Sequence, residues 1–159
     1  MKRHPALIPL SRQHHDALAL GVFIERGLRE PDAVVLERLR EQALDLWELE
    51  LRGHFEVEES VLFPAVRENL GDPEVVDRLV REHREIGAAI AALRTAATDT
   101  LGAGLRSLRE ILVGHVRTEE RVLFEAVQAS VGEAALTAIG RRIEETLPAV
   151  CVNLGSAKV

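Results

Sequence analysis

The run His54-Phe-Glu-Val-Glu58-Glu-Ser-Val-Leu-Phe63 returns sixty-one residues later as His115-Val-Arg-Thr-Glu119-Glu-Arg-Val-Leu-Phe124. Of the sixteen positions that begin at each histidine, eight are identical, among them the histidine, both glutamates and the Val-Leu-Phe that follows. In each copy the histidine and the first glutamate stand four apart. On a helix that spacing sets them on one face, one turn from each other. A chain that presents the pair twice on similar helices has what a two-metal site needs, and must bring the two helices to one place.

Composition narrows the fold further. Hydrophobic residues make up 47% of the chain, yet aromatics are only 3% and tyrosine is absent. The core must therefore be built from Leu, Val, Ala and Ile, which suits helices better than a β-sandwich. At 159 residues the simplest organisation is one domain over 1–159, with a bundle core over about 8–130 and a short helix and tail over 131–159. A formal net charge of −6 with the two signs interspersed argues against nucleic acid or an anionic membrane as a partner. The lone Cys151 excludes an internal disulfide framework, points to a reducing compartment and reads as an inert small hydrophobe. Neither a signal peptide nor a run of about twenty apolar residues is evident, so a soluble cytoplasmic protein is expected.

The breakers divide the chain into four long helices and a short fifth. A first helix is expected from about Ser11, as N-cap, to Leu28. Pro31 suits the first position of a second helix that carries Leu36, Leu39, Ala43, Trp47, Leu51, His54, Glu58 and Val61 on one stripe. Pro64 removes an internal hydrogen bond and should kink it. Gly71, Asp72 and Pro73 read as stop, cap and restart. The third helix shows Val76, Leu79, His83, Ile86, Ile90 and Leu93 on one face. After a break at Thr98-Asp-Thr, the fourth carries Leu108, Ile111, Leu112, His115, Glu119, Val122 and Ala126. Val131-Gly132 ends it, and the fifth runs to about Thr146, before Pro148. Short connections between long amphipathic helices make antiparallel neighbours, so the expected fold is all-α, an up-down-up-down four-helix bundle with a short C-terminal fifth helix. A single-His helix followed by a His-x-x-x-Glu helix occurs twice, an internal doubling that brings four stripes to a shared centre.

His54, Glu58, His83, His115 and Glu119 interrupt apolar stripes instead of decorating a solvent face. Burying a carboxylate or imidazole without a partner costs roughly a few kcal/mol or more. Five or six together would cancel the stability of an ordinary domain, so they call for a compensating cation pair. Four imidazoles and two carboxylates without thiolate suit iron, manganese or zinc. Structural zinc prefers one ion with four ligands, commonly including Cys. Six donors split more naturally into two His-rich metals bridged by Glu58 and Glu119, with positions left open. Glu59 and Glu120 read as solvated charges, with a role in orienting a histidine as the alternative. Trp47, Phe63 and Phe124 read as core, His4 as surface, and Arg141-Arg142 as too short for a nucleic-acid patch.

At these residues the chain resembles the hemerythrin-like family, the HHE cation-binding domains. The matching pieces are His14-His15-Asp-Ala-Leu, His54-Phe-Glu-Val-Glu58-Glu, Arg81-Glu-His83-Arg-Glu-Ile and His115-Val-Arg-Thr-Glu119-Glu, and the likeness covers about residues 8 to 130. It implies a four-helix bundle holding a non-haem di-iron centre, two iron ions with an oxo or hydroxo bridge. It assigns as ligands one helix-one histidine together with His54, Glu58, His83, His115 and Glu119. His15 is favoured, since Leu18 lies three places on as Ile86 does from His83; His14, which shares a face with Leu10 and Leu18, is the alternative. The oxygen carriers of the family have a fifth histidine one turn from the third-helix ligand. Here those positions are Leu79 and Gly87, which cannot ligate, and simple oxygen carriage is disfavoured.

The resulting expectation is a di-iron protein that binds or responds to dioxygen, peroxide, nitric oxide or iron supply, with a small diatomic or peroxo species as its ligand. A di-iron enzyme acting on peroxide or nitric oxide, and a zinc-stapled structural bundle, are the alternatives. No residue marks a general acid, a substrate pocket or an electron-donor domain.

Overall fold

A computed structural model describes residues 2–70 and 73–147, and among these every regular element is helical. The expected stop and cap at Gly71 and Asp72, the breaker Pro148 and Cys151 lie outside the described residues. A 3-10 turn, Pro5–Leu7, leads into α1, Ile8–Gly27. Helix α2 runs unbroken over residues 33–70 as Ala33–Leu46, a π turn Trp47–Leu51, Arg52–Val57, a second π turn Glu58–Leu62, and Phe63–Leu70. Helix α3 is Pro73–Thr95. Helix α4 covers residues 98–130 as Thr98–Thr118, a π turn Glu119–Leu123, and Phe124–Ser130. Helix α5 is Glu133–Thr146.

Several starts differ from the sequence expectation for local reasons. Helix α1 begins at Ile8, ahead of Ser11, because Pro9 in the first turn needs no hydrogen-bond acceptor there. Helix α2 is capped by Asp32, whose carboxylate accepts the Val35 N–H at 2.8 Å, so Pro31 falls outside it. Helix α4 begins at Thr98 itself, after an extended Ala97. Pro64 does not end α2; the departure from α-geometry is the π turn before it, where the Phe63 N–H bonds the Glu58 carbonyl. The same turn occurs in α4, from Phe124 N–H to the Glu119 carbonyl, without any proline. The π turns at Glu58 and Glu119 therefore go with the repeated sequence, while the one at Trp47–Leu51 lies ahead of it.

Side-chain contacts fix how the runs lie. Gly27 packs on Val35 and Leu39 while His14 meets His54, so α1 and α2 run in opposite directions. Arg94 pairs with Glu48 while His83 meets Glu59, which sets α3 antiparallel to α2. Leu93 lies against Gly104 while Glu82 meets His115, so α4 opposes α3. Arg109 reaches the Gly21 carbonyl and Glu25 while Ser11 meets Glu120, closing α4 back onto α1.

The apolar core forms two clusters. One joins Ala17, Leu20 and Ile24 to Leu46, Ile90, Leu105 and Leu112. The other joins Leu7 and Leu10 to Leu62, Leu79, Leu123, Leu136 and Ile143. Each fully buried Leu or Ile contributes roughly 1.5–3 kcal/mol relative to an exposed one. On the bundle helices, His14, His54, Glu58, His83, His115 and Glu119 lie where the first cluster gives way to the second. Helix α5 completes the second cluster and presses on the N-terminal turn: a Cβ at Gly140 would stand 2.8 Å from the Cα of Ala6. Gly140→Ala is accordingly expected to cost about 1–3 kcal/mol in denaturant unfolding, because a backbone must move; an unchanged midpoint would show that the turn is not held there.

Candidate metal centre

Six ionisable side chains meet inside the bundle, all at 4% exposure or less: His14, His54, Glu58, His83, His115 and Glu119. They form two groups, His14, His54, Glu58, Glu119 and Glu58, His83, His115, Glu119, in each of which the donor atoms lie within 4.8 Å of one another. Both carboxylates belong to both groups. Glu58 Oε1 lies 3.1 Å from His54 Nε2, and its Oε2 lies 3.3 Å from His83 Nε2. Glu119 Oε2 lies 3.0 Å from His14 Nε2 and 3.3 Å from His115 Nε2.

His15, the favoured helix-one residue in the sequence reading, is exposed and is not in the cluster; His14 is. The reason is helical phase. The buried face of α1 runs Leu10, His14, Ala17, Gly21, Ile24, in steps of four and three, and His15 is turned about 100° away from it. The five-residue runs Gln13-His-His-Asp-Ala17 and Glu82-His-Arg-Glu-Ile86 align on His14 and His83, a register that carries the signal.

Each histidine spends its outer nitrogen on a side-chain oxygen acceptor. His14 Nδ1 donates to Glu120 at 2.7 Å, His54 Nδ1 to Gln13 at 2.9 Å, His83 Nδ1 to Glu59 at 2.8 Å and His115 Nδ1 to Glu82 at 3.1 Å. This sets all four rings with Nε2 facing inward as the available donor, the arrangement that orients metal-ligating imidazoles. Glu59 and Glu120 thus orient histidines and are not simply solvated charges. Gln13 and Glu82 were not singled out by sequence. Each immediately precedes a single-helix histidine yet serves the histidine of the neighbouring repeat helix.

The repeat therefore works as a clamp. Within each copy one glutamate enters the shared pair, and the next reaches back to the histidine of a single-His helix. The phenylalanine four residues beyond that second glutamate stacks on the same ring: Phe63 on His83 and Phe124 on His14, each at 5.5 Å between centroids. His83 is also stacked by Phe55 at 3.8 Å, and Phe55 in turn meets Trp47 at 5.9 Å. Trp47 also fills the space where a side chain at Gly87 would project, since a Cβ there would meet its ring at 3.4 Å.

The inward atoms fit a cation. Both oxygens of Glu58 and of Glu119, and Nε2 of His83 and His115, are buried without a hydrogen bond. The 3.3 Å approaches bring each carboxylate within reach of an imidazole nitrogen but out of hydrogen-bond alignment. His14 Nε2 and His54 Nε2 stand 3.0 Å apart while each ring donates outward through Nδ1. Two lone pairs so placed need a proton or a metal between them. Without metal, protons fill this role. Burial alone would lower the His14 imidazole, but its close approach to Glu119, its hydrogen bond to Glu120 and the nearby carboxylate charges raise it to about 9. His115 is raised to about 10 by the charge of Glu119 against the same opposing burial. Burial pushes Glu119 up, and the field of His115 with the His14 contact brings it well below its ordinary range. Glu120 is driven down to about 2 by His14 and Ser11, again against burial.

These shifts give a signed expectation for the metal-free protein. His14 and His115 are raised above 6.5, so their stabilisation is full below pH 6.5 and is lost as pH rises through about 9 and about 10. Glu119 and Glu58 are lowered below 4.5, so their share is present above pH 4.5 and is lost on acidification. The melting temperature should therefore be highest between pH 4.5 and 6.5 and fall from pH 6.5 to 10. Thermal melts across that range test it, and a flat profile above pH 6.5 would contradict the ion-pair network. Metal must displace the same protons, so its affinity should rise over the same interval.

Among the described residues no helix is long and apolar enough to cross a membrane. No curated protein matches the chain significantly. A family model does, over residues 7–127: the hemerythrin HHE cation-binding domain. That span contains all six inward side chains and all four outer acceptors, and the chain belongs to the hemerythrin HHE cation-binding family.

Proposed function

We propose that the protein is a non-haem di-iron protein that binds or responds to dioxygen, peroxide, nitric oxide or iron supply in the cytoplasm. It is a single domain over residues 1–159, in which α1 to α4 form an up-down-up-down four-helix bundle and α5 is the short fifth helix. Its ligands in this reading are His14, His54, Glu58, His83, His115 and Glu119.

One observation carries the reading: the carboxylates of Glu58 and Glu119 are fully buried, unbonded, and shared by two groups of imidazole nitrogens. One cation would satisfy one group and leave the other histidines facing bare carboxylate. Two cations, held by His14, His54, His83 and His115 with Glu58 and Glu119 shared between them, would satisfy all six donors. Nitrogen and oxygen donors without thiolate suit iron, the metal the family resemblance implies. Each ion would receive two imidazoles and a share of two carboxylates, which leaves positions for a small ligand. A bound iron pair supplies redox chemistry and those open positions. The chain's own residues orient the donors and keep bulk water from them. The acidic net charge agrees with a small-molecule ligand and not with nucleic acid or an anionic membrane.

Anaerobic loading with ferrous iron, followed by exposure to air, tests this directly. Two irons per chain and new near-ultraviolet and visible bands are expected. A colourless protein indifferent to air, or one zinc per chain, would make the constellation structural, and saturable turnover of peroxide or nitric oxide would make it an enzyme. Glu58→Ala and Glu119→Ala should each bind fewer than two irons by metal analysis while keeping a helical circular-dichroism spectrum. Retention of two irons by either would refute the bridging assignment.

A further inference from the structure

The two halves of the centre match in their inner donors and differ behind them. Each half has two imidazoles and a share of Glu58 and Glu119. Behind His83 stands Glu59, whose side chain is 43% exposed and which, among the described residues, bonds only His83. Its counterpart behind His14, Glu120, is 24% exposed and held from three directions. Besides His14, Ser11 Oγ donates to its Oε1 at 2.7 Å, and Arg3 Nη2 donates to its Oε2 at 2.6 Å and to its backbone carbonyl at 2.9 Å. The other guanidinium arm reaches Gln128 at 3.3 Å, and the next backbone N–H, that of His4, bonds the same Gln128 oxygen at 2.8 Å. The guanidinium carbon also lies 5.2 Å from the centroid of Phe124, the ring stacked on His14. The segment before α1 is thus bolted onto both groups that orient His14; His83 is enclosed by the Phe55 and Phe63 rings, but among the described residues nothing holds its acceptor Glu59 in this way.

Resting on the two-metal reading above, we propose that Arg3 is a positioning residue. Through Glu120 and Phe124 it fixes the His14 ring, and so makes the His14/His54 half the position that releases its metal more slowly. An imidazole whose hydrogen-bond acceptor cannot swing away loses less freedom on binding metal and is slower to rotate off it. At the other half water competes for Glu59, so the His83/His115 position releases first.

The test uses the full chain loaded anaerobically with two ferrous ions and challenged with excess of a coloured ferrous chelator. Wild type should release iron in two phases. Arg3→Ala should accelerate the slow phase by about three- to tenfold, less than the roughly 10–100-fold typical of a partner that touches the ligand itself. Its fast phase should be unchanged. Arg3→Lys, which keeps a charge near Glu120 but not the two-point fork, should restore part of the difference, and Glu59→Gln should accelerate the fast phase alone. In cobalt-loaded protein, the His14 ring N–H should exchange with solvent faster in Arg3→Ala while the other three ring protons do not change. Two irons with an unaltered slow phase, or release in one phase from wild type, would overturn the role of Arg3 alone. Uptake of fewer than two irons by wild type would overturn it together with the di-iron reading.

Discussion

Everything in this molecule is arranged around the cost of placing two carboxylates and four imidazoles inside an aliphatic bundle. Such groups leave water only when each of their polar atoms has somewhere to go. The bundle meets the requirement in two directions. Outward, every ring nitrogen that is not needed at the centre donates to an oxygen of Gln13, Glu59, Glu82 or Glu120. Inward, the carboxylate oxygens are left facing nitrogens, a configuration that charge alone can settle. Two aliphatic clusters hold the layer from either side.

The pseudo-twofold sequence repeat becomes intelligible at this level. The identical residues of the two copies have separate tasks: bind at the centre, enter the shared carboxylate pair, orient the next histidine, stack on its ring. A π turn begins at the shared glutamate in both copies. Such turns insert a residue into the helical register and recur at functional sites. The twofold is broken at the edges. Helix α5 lies over the first copy, where Val61 is buried, while the corresponding Val122 is 54% exposed. The N-terminal segment is fastened to the second copy through Arg3 and Glu120.

Much of this was legible in the sequence because it rests on periodicity. The helical class, the stripe on α3, the doubled His-x-x-x-Glu and the break at Val131-Gly132 all follow from spacing and breakers. The choice between His14 and His15 did not, because adjacent residues are separated by only 100° and a three-residue match to Leu18 outweighed the longer stripe from Leu10 to Ile24. Helix starts were missed where a local side chain captured an amide, as Asp32 does, or where a proline made an earlier start cheap, as Pro9 does. Gln13 and Glu82 were invisible for a different reason: their role is a contact across helices, and nothing within one helix marks it. The π turns were hidden too, since no spacing or breaker in the sequence marks them and one occurs in α4 without any proline.

The crossing of partners between copies ties the centre to the folding of the whole. His14 belongs to the first half of the chain but is steadied by Glu120 and Phe124 of the second, and His83 of the second by Glu59 and Phe63 of the first. Neither helix pair holds a complete set of oriented donors by itself. The oriented set is therefore complete only where the two halves meet. Conversely, any loosening of the interface between halves unfastens two of the inward-facing rings at once, so the geometry of the centre reports on how firmly the halves are joined.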